Sequence, residues 1–250
     1  MKLRLDKLLV ERGLAPSRER AQALILAGKV LVSEQKIVKA GTNVDSDAPV
    51  RLLGPDIRYV SRGGLKLEHA LAHWKLDVGG FVALDIGAST GGFSDCLLQH
   101  GVSQVIAVDT GYGQLDFRLR QDPRLRLLEK TNARFLQAKD IGAPVDIVVV
   151  DVSFISATLV LPPVVGAAFP RPPSVSLAKR HIIVLVKPQF EAGREHVGKG
   201  GIVRDEDAQQ ASVEKVRRCV TDLGFTSVET IDSPILGAEG NREFLMHALY

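Results

Sequence analysis

The stretch Phe81-Val-Ala-Leu-Asp-Ile-Gly-Ala-Ser-Thr-Gly-Gly-Phe-Ser-Asp95 constrains this chain more than any other. An apolar run over 81–86 ends in Gly87, Gly91 and Gly92, and a helix-like segment with Leu97 and Leu98 follows. A run apolar on both faces is a buried strand of a parallel sheet covered by helices. Glycines where strand turns into helix permit positive φ and let a ligand reach main-chain N–H groups without a Cβ in the way. A second apolar run over 104–108 ends in Asp109, and an acid at that distance from the first strand accepts hydrogen bonds from a ribose diol. The glycine spacing is not G-x-G-x-x-G, which disfavours a nicotinamide dinucleotide. A nucleoside with no pyrophosphate to cradle fits better, and S-adenosylmethionine is the cofactor expected. Its candidate contacts are Asp85, Gly87, Ser89, Thr90, Gly91, Gly92 and Asp109.

Further strands are predicted over 125–129, 146–151, 181–187, 225–231 and 244–248, with a long helix over 205–223 that turns Val213, Val216 and Val220 inward. Strands alternating with helices predict an α/β fold, a doubly wound Rossmann-like sheet with right-handed crossovers. Too few residues for a crossover helix separate the last two strands, so the final strand is expected to run antiparallel.

Ahead of this body lies a basic quarter. Residues 1–60 carry a net charge of +4 and the remainder −1, an asymmetry that suggests a nucleic-acid-facing module. Leu5, Leu8 and Leu9 share one face of a helix predicted over 5–13, and Ser17 can cap a second over 18–27 with Ala21, Leu24 and Ile25 inward. Short strands are expected over 30–32 and 36–38, giving a small α+β domain over 1–53. Gly54-Pro55-Asp56 reads as a boundary, residues 54–64 as a linker and 65–250 as the second domain. Arg4, Lys7, Arg18, Arg20, Lys29 and, in the linker, Arg62 are the candidate phosphate contacts. Arg18 and Arg20 stand near a helix N-terminus, where the dipole favours acids, so their placement points to an external anion.

The candidate chemistry sits at the strand ends. In open α/β sheets ligands bind beyond the carboxyl ends of the strands. Asp151 and Lys187 close two consecutive apolar strands, a reversed last strand brings Glu243 to the same rim, and Lys66 can reach it from the preceding helix. Burying such charges unpaired costs several kcal/mol, so two lysines and two acids are expected to meet there. They suit proton removal from a weakly acidic hydroxyl such as a ribose 2′-OH. A lysine shielded from water beside a second ammonium is more easily deprotonated. Lys187 is the expected base, with Asp151 and Lys66 positioning it and Glu243 in support. Asp151-Val-Ser-Phe stands where amino methyltransferases carry Asn-Pro-Pro-Tyr or Asp-Pro-Pro-Tyr, which favours oxygen over an exocyclic nitrogen.

These motifs carry a family resemblance. Arg4-Leu-Asp-Lys-Leu-Leu-Val10, Ser17-Arg-Glu-Arg-Ala21 and Ala27-Gly-Lys-Val-Leu-Val32 resemble the small RNA-binding domain first described in ribosomal protein S4, with Ser33-Glu34 where that family usually has Asn-Gly. Residues from about 58 onward resemble FtsJ-type ribosomal RNA methyltransferases, whose Lys-Asp-Lys-Glu tetrad maps onto Lys66, Asp151, Lys187 and Glu243. Arg62-Gly-Gly-Leu-Lys66, Asp109-Thr-Gly-Tyr-Gly-Gln-Leu115 and Lys187-Pro-Gln-Phe-Glu191 make the whole chain similar to the TlyA, or hemolysin A, family. The resemblance implies methylation of cytidine 2′-hydroxyls in ribosomal RNA within ribosomal subunits. It also implies cofactor contacts at Gly91, Phe93, Asp109 and Asn132, with Asp151 beside them.

Other classes are weighed against this. Cys96 and Cys219 have no metal-ligand spacing, and His69 and His73 lack a third ligand nearby, so no metal is expected. The opening residues have no signal-peptide core and the longest apolar stretch, 155–169, is broken by Pro162 and Pro163. A cytoplasmic protein without a membrane partner is therefore expected. The alternatives are a hemolysin-like membrane-active protein, which would need an exposed amphipathic segment, and a catalytically inactive ribosome-assembly factor, which would have a broken tetrad.

Overall fold

The computed structural model describes residues 2–15, 17–53, 58–170 and 180–250. The predicted boundary at Gly54-Pro55-Asp56, with Ile57, lies outside the described residues. Contacts divide the chain into two compact units, 1–58 and 59–250. Residues 59–64, expected as part of a linker, belong to the second unit: Tyr59 is buried, and a Cβ on Gly64 would strike its ring.

In the first unit, strand β1 (Lys2–Arg4) leads into helix α1 (Leu5–Glu11), followed by α2 (Arg18–Leu26). Strands β2 (Val30–Val32), β3 (Gln35–Ile37), β4 (Asn43–Asp45) and β5 (Val50–Leu52) complete it. β2 pairs antiparallel with both β3 and β5, while β1 pairs with β4. Leu5, Leu8, Leu9, Leu24 and Ile25 fill the core at helical spacing. The β2–β3 turn places Ser33 and Glu34 at φ 49° and 62°, the doubly left-handed geometry for which Asn-Gly is favoured. Arg51 holds the Glu34 carboxylate in two bonds of 2.8 and 2.6 Å.

The second unit opens with α3 (Gly63–His73), then β6 (Val82–Ile86), α4 (Gly92–Gln99), β7 (Gln104–Val108), the short α5 (Phe117–Arg120) and β8 (Leu125–Leu128). It continues through α6 (Ala138–Ile141), β9 (Ile147–Val150), α7 (Leu161–Ala168), β10 (His181–Val186), α8 (Pro188–Glu191), α9 (Glu206–Asp222), β11 (Thr226–Asp232) and β12 (Phe244–Leu249). Seven strands form one sheet in the order β11-β12-β10-β9-β6-β7-β8. β6 to β10 run parallel, and β12 is antiparallel to both of its neighbours. The reversal of strand order beside β6 opens the crevice of a doubly wound sheet at that strand's carboxyl end.

Strand alternation then fixes which groups meet. Leu84, Ile86, Val148, Val150, Val184, Val186, Phe244 and Met246 join the core cluster that includes α7 and α9 residues. The intervening positions, including Asp85, belong to the opposite face, and continuing the alternation past the strand ends puts Asp151, Lys187 and Glu243 there too. The two prolines in the 155–169 stretch do not break a helix. They occupy the first turn of α7, where proline's missing N–H costs nothing.

Candidate active site

Lys66 is on α3, which glycines on both sides of the contact let pack closely against α4: a Cβ on Gly64 of α3 would strike Tyr59, and one on Gly92 of α4 would strike Ser61. Ser61 does not cap this helix. Arg62 occupies the N-cap position without a side-chain bond, and the Ser61 hydroxyl fills the space Gly92 leaves open. Leu67, Ala70 and Leu71 bury the helix face and carry Lys66 inward with them. Its ammonium donates to Glu243 Oε2, in a pair whose side chains are 10% and 2% exposed. Gly237 allows the acid this position, since a Cβ there would overlap the Glu243 carboxylate.

The second pair forms at the adjacent strand ends. Lys187 Nζ lies 2.6 Å from Asp151 Oδ1 and donates an aligned hydrogen bond to Ser153 Oγ at 2.8 Å. Contact with Asp151 is by charge and proximity, and that oxygen has no aligned donor. Lys66, Asp151 and Lys187 line one groove together with Thr90, Gly92 and Phe93. Lys66 and Lys187 also border a neighbouring cleft with Glu243. The four residues expected to converge are thus two ion pairs sharing one rim.

The glycine turn lies beside them. Gly87 has φ +85°, and a Cβ there would come within 2.5 Å of the Asp151 carbonyl oxygen. Gly91, at φ +98°, is the N-cap of α4, and its missing side chain leaves room for Leu115 and Leu119. Asp109 accepts from the Ser89 N–H at 2.8 Å and the Gly111 N–H at 2.6 Å, tying the turn after β6 to the one after β7. A cleft of about 510 Å³ runs between them, lined by Gly87, Ser89, Asp109, Asn132 and Asp151 among others; this volume suits a nucleoside-sized ligand. Asn132 also caps a local turn, accepting from the Arg134 N–H at 3.0 Å.

Asp85 is fully buried with Ser94 Oγ at 2.6 Å on one oxygen, while its other oxygen has no partner among the described residues. Burial pushes its carboxyl up to about 7, with repulsion from Asp151 and Asp109 added and the Ser94 bond opposing. Asp85 does not line the cleft, whereas Asp109 and the Lys187-paired Asp151 do; an acidic lining suits a ligand that brings hydrogen-bond donors or positive charge, as S-adenosylmethionine does. A ribose diol suits Asp109, whose oxygens keep lone pairs beyond those used by the two amides.

Ser153, Gln114 and Thr131 also line these clefts and were missed in the sequence. The motifs Asp151-Val-Ser-Phe and Asp109-Thr-Gly-Tyr-Gly-Gln carried the signal for the first two. In the first unit, the buried Asp6 accepts from Arg4 (3.0 and 2.8 Å), Arg18 (3.0 Å) and Gln22 (2.9 Å). The Arg4 bond, with Gln22 and Arg18 behind it, holds this carboxyl far below the usual range against the cost of burial. Arg18 therefore has an internal acid, and the dipole argument for an external anion loses its force there. Lys7 and Arg62 are exposed and Lys29 is half-buried. His69 and His73 are both exposed, and no group of three or more metal-ligating side chains occurs among the described residues.

Fold and site together define a methyltransferase: residues 59–250 match the FtsJ-like methyltransferase model and residues 3–50 the S4 domain, and the chain belongs to the FtsJ-like family. Within it, the chain is 46% identical to the 16S/23S rRNA (cytidine-2′-O)-methyltransferase TlyA of Mycobacterium tuberculosis, covering 97% of this chain and 88% of that protein. It is 39% identical to Hemolysin A of Brachyspira hyodysenteriae, over 98% of this chain and 99% of the relative, and it belongs with both to the TlyA, or hemolysin A, family. An S-adenosylmethionine dependent methyltransferase from Mesorhizobium loti shares the fold alone, at TM-score 0.50 and 16% identity, over 73% of this chain and 96% of that one.

Proposed function

We propose that this chain is an S-adenosylmethionine-dependent ribosomal RNA (cytidine-2′-O)-methyltransferase that acts on ribosomal subunits in the cytoplasm. The observation that carries the reading is the meeting of Lys187, Asp151, Lys66 and Glu243 on the rim between the glycine-turn cleft and a second, open one. Asp85, Gly87, Ser89, Thr90, Gly91, Gly92, Phe93, Asp109 and Asn132 would hold the cofactor, which when bound supplies an electrophilic methyl group on a sulfonium. Lys187 would take the proton of the 2′-hydroxyl as that oxygen attacks the methyl group that the bound cofactor would supply. Asp151 and Ser153 aim the Lys187 nitrogen. Lys66, held by Glu243, fixes the hydroxyl from the other side. Because the methyl is already activated, alignment of oxygen, carbon and sulfur is the protein's main task.

The basic first unit supplies affinity for the phosphate backbone through Lys7, Arg20 and Lys29, with Arg4 and Arg18 oriented by Asp6, and Arg62 adds a contact from the second unit. Domains are taken as 1–53 for RNA binding and 65–250 for catalysis, with residues 59–64 packed into the catalytic unit. Among the described residues no helix is long and apolar enough to cross a membrane. An inactive assembly factor would not keep all four rim residues paired. Incubation with methyl-labelled cofactor and ribosomal subunits lacking the modification, followed by mapping, tests the proposal. Label on a cytidine 2′-oxygen is expected; label on a base, or none, overturns it.

A further inference from the structure

The loop that lines the second cleft through Gly200 and Gly201 is held by a buried amide. Asn241 is 2% exposed and precedes Glu243 by two residues. Its Oδ1 accepts from the Val203 N–H at 3.1 Å, and its Nδ2 donates to the Gly201 carbonyl at 2.9 Å. One main-chain donor and one acceptor thus fix the orientation of the amide. Its own carbonyl accepts from the Gly237 N–H at 2.8 Å, and Gly237 is the residue whose missing side chain makes room for the Glu243 carboxylate. A second buried amide, Gln209, donates to the Val203 carbonyl at 2.8 Å from α9.

The loop so held is built to come close to a ligand. Gly200 and Gly201 have φ of +80° and +74°, and a Cβ on either would meet only open space. Gly198 closes it internally, donating to the Ile202 carbonyl and accepting from the Gly201 N–H, both at 3.0 Å. Gly200 and Gly201 face the cleft that Lys66, Lys187, Phe154 and Phe190 border. The two aromatic rings lie 5.4 Å apart, and Phe154 is 92% exposed.

We infer that Asn241 is a positioning residue: by clamping the glycine loop 198–203 to the lead-in of Glu243, it sets the wall against which the methyl-accepting nucleotide is pressed toward Lys187. The inference rests on the proposed reading, in which this cleft takes the acceptor. The same amide that shapes the wall is two residues from the acid that holds Lys66, so wall and rim move as one piece. Misplacing a reactant by about 1 Å costs on the order of a hundredfold in rate.

The test uses the full chain with ribosomal subunits lacking the modification, measuring cofactor stoichiometry and Kd, RNA Kd, and kcat per bound cofactor. Wild type is run in parallel; if it transfers no methyl group, the proposed function fails, not the clamp. Given an active wild type, Asn241→Ala is expected to lose tenfold to a hundredfold in kcat per bound cofactor, with both Kd values within twofold and faster hydrogen exchange over 198–203. A variant that is merely unstable would lose cofactor stoichiometry instead. Should it not fold, Gln209→Leu decides, since it releases the same loop from the side away from the rim and is expected to lower kcat severalfold with the same unchanged Kd values. Turnover within twofold of wild type in whichever variant folds, or a loss matched by weaker cofactor binding, overturns the inference.

Discussion

Replacing Glu243 by leucine strands the Lys66 ammonium on a helix face that is otherwise leucine and alanine. The partners are 10% and 2% exposed, so neither can recover its hydration in place. Removing one member of such a pair costs about 3–5 kcal/mol, whereas replacing both with apolar groups of similar volume is often neutral or stabilising. Glu243→Leu and Lys66→Met are each expected to lose about 3–5 kcal/mol, and the Lys66→Met/Glu243→Leu double variant to recover most of that. The coupling on the cycle is then several kcal/mol, above the 0.5–3 kcal/mol usual for neighbouring residues. The sole tryptophan, Trp74, follows the end of α3, so its fluorescence in urea reports unfolding of the unit that holds the pair. All three variants should be inactive, because stability regained by burying methyl groups restores no hydroxyl contact. Single losses under about 1 kcal/mol, or costs that simply add, would refute a buried ion pair.

Other consequences are quicker to check. Gly87→Ala combines a φ of +85° with a Cβ 2.5 Å from the Asp151 carbonyl, and should weaken cofactor binding by tenfold or more in calorimetry. Exchanging Ser33-Glu34 for Asn-Gly removes left-handed strain of roughly 1–2 kcal/mol per residue, gives up an exposed ion pair with Arg51 worth about 0–1 kcal/mol, and should raise the stability of the first unit by about 1 kcal/mol or more. His247 is held down to about 4 by burial and by His181, whose Nδ1 lies 3.0 Å from its Nε2. Its folded value lies below the unfolded one, so the unfolded chain takes up the proton first. Stability should therefore be full above about pH 6.5 and fall by about 2–3 kcal/mol as pH drops to 4; His247→Phe should flatten that slope in unfolding titrations.

The parts of this molecule that could be read in the sequence are those where local pattern and tertiary demand agree. Strand β9 is apolar throughout, and β10 is apolar after His181, because helices cover both faces, and a charge closing such a strand has nowhere to be but the crevice. Asp151 and Lys187 were visible for that reason, and Glu243 followed from the reversed last strand. What escaped depends on contacts distant in sequence. The capture of Arg4 and Arg18 by Asp6 arises only when α1 and α2 pack, and helix-dipole reasoning at Arg18 could not see it. Strands β1, β4 and β5 are three residues each, too short to show an alternation. Ser153 reaches Lys187 past a turn in which Phe154 takes φ +64°, a conformation that nothing in Asp-Val-Ser-Phe announces. Pro162 and Pro163 looked like breakers because their place in the first turn of a helix depends on where that helix begins.

Lys187 is proposed as the group that takes the hydroxyl proton. Its most direct test is single-turnover methyl transfer by Lys187→Ala to ribosomal subunits lacking the modification, with cofactor and RNA affinities measured on the same sample. A loss of at least a hundredfold to ten-thousandfold in rate, with both affinities within a fewfold of wild type, is the result expected. Transfer at an undiminished rate, with the label still on a cytidine 2′-oxygen, would contradict it.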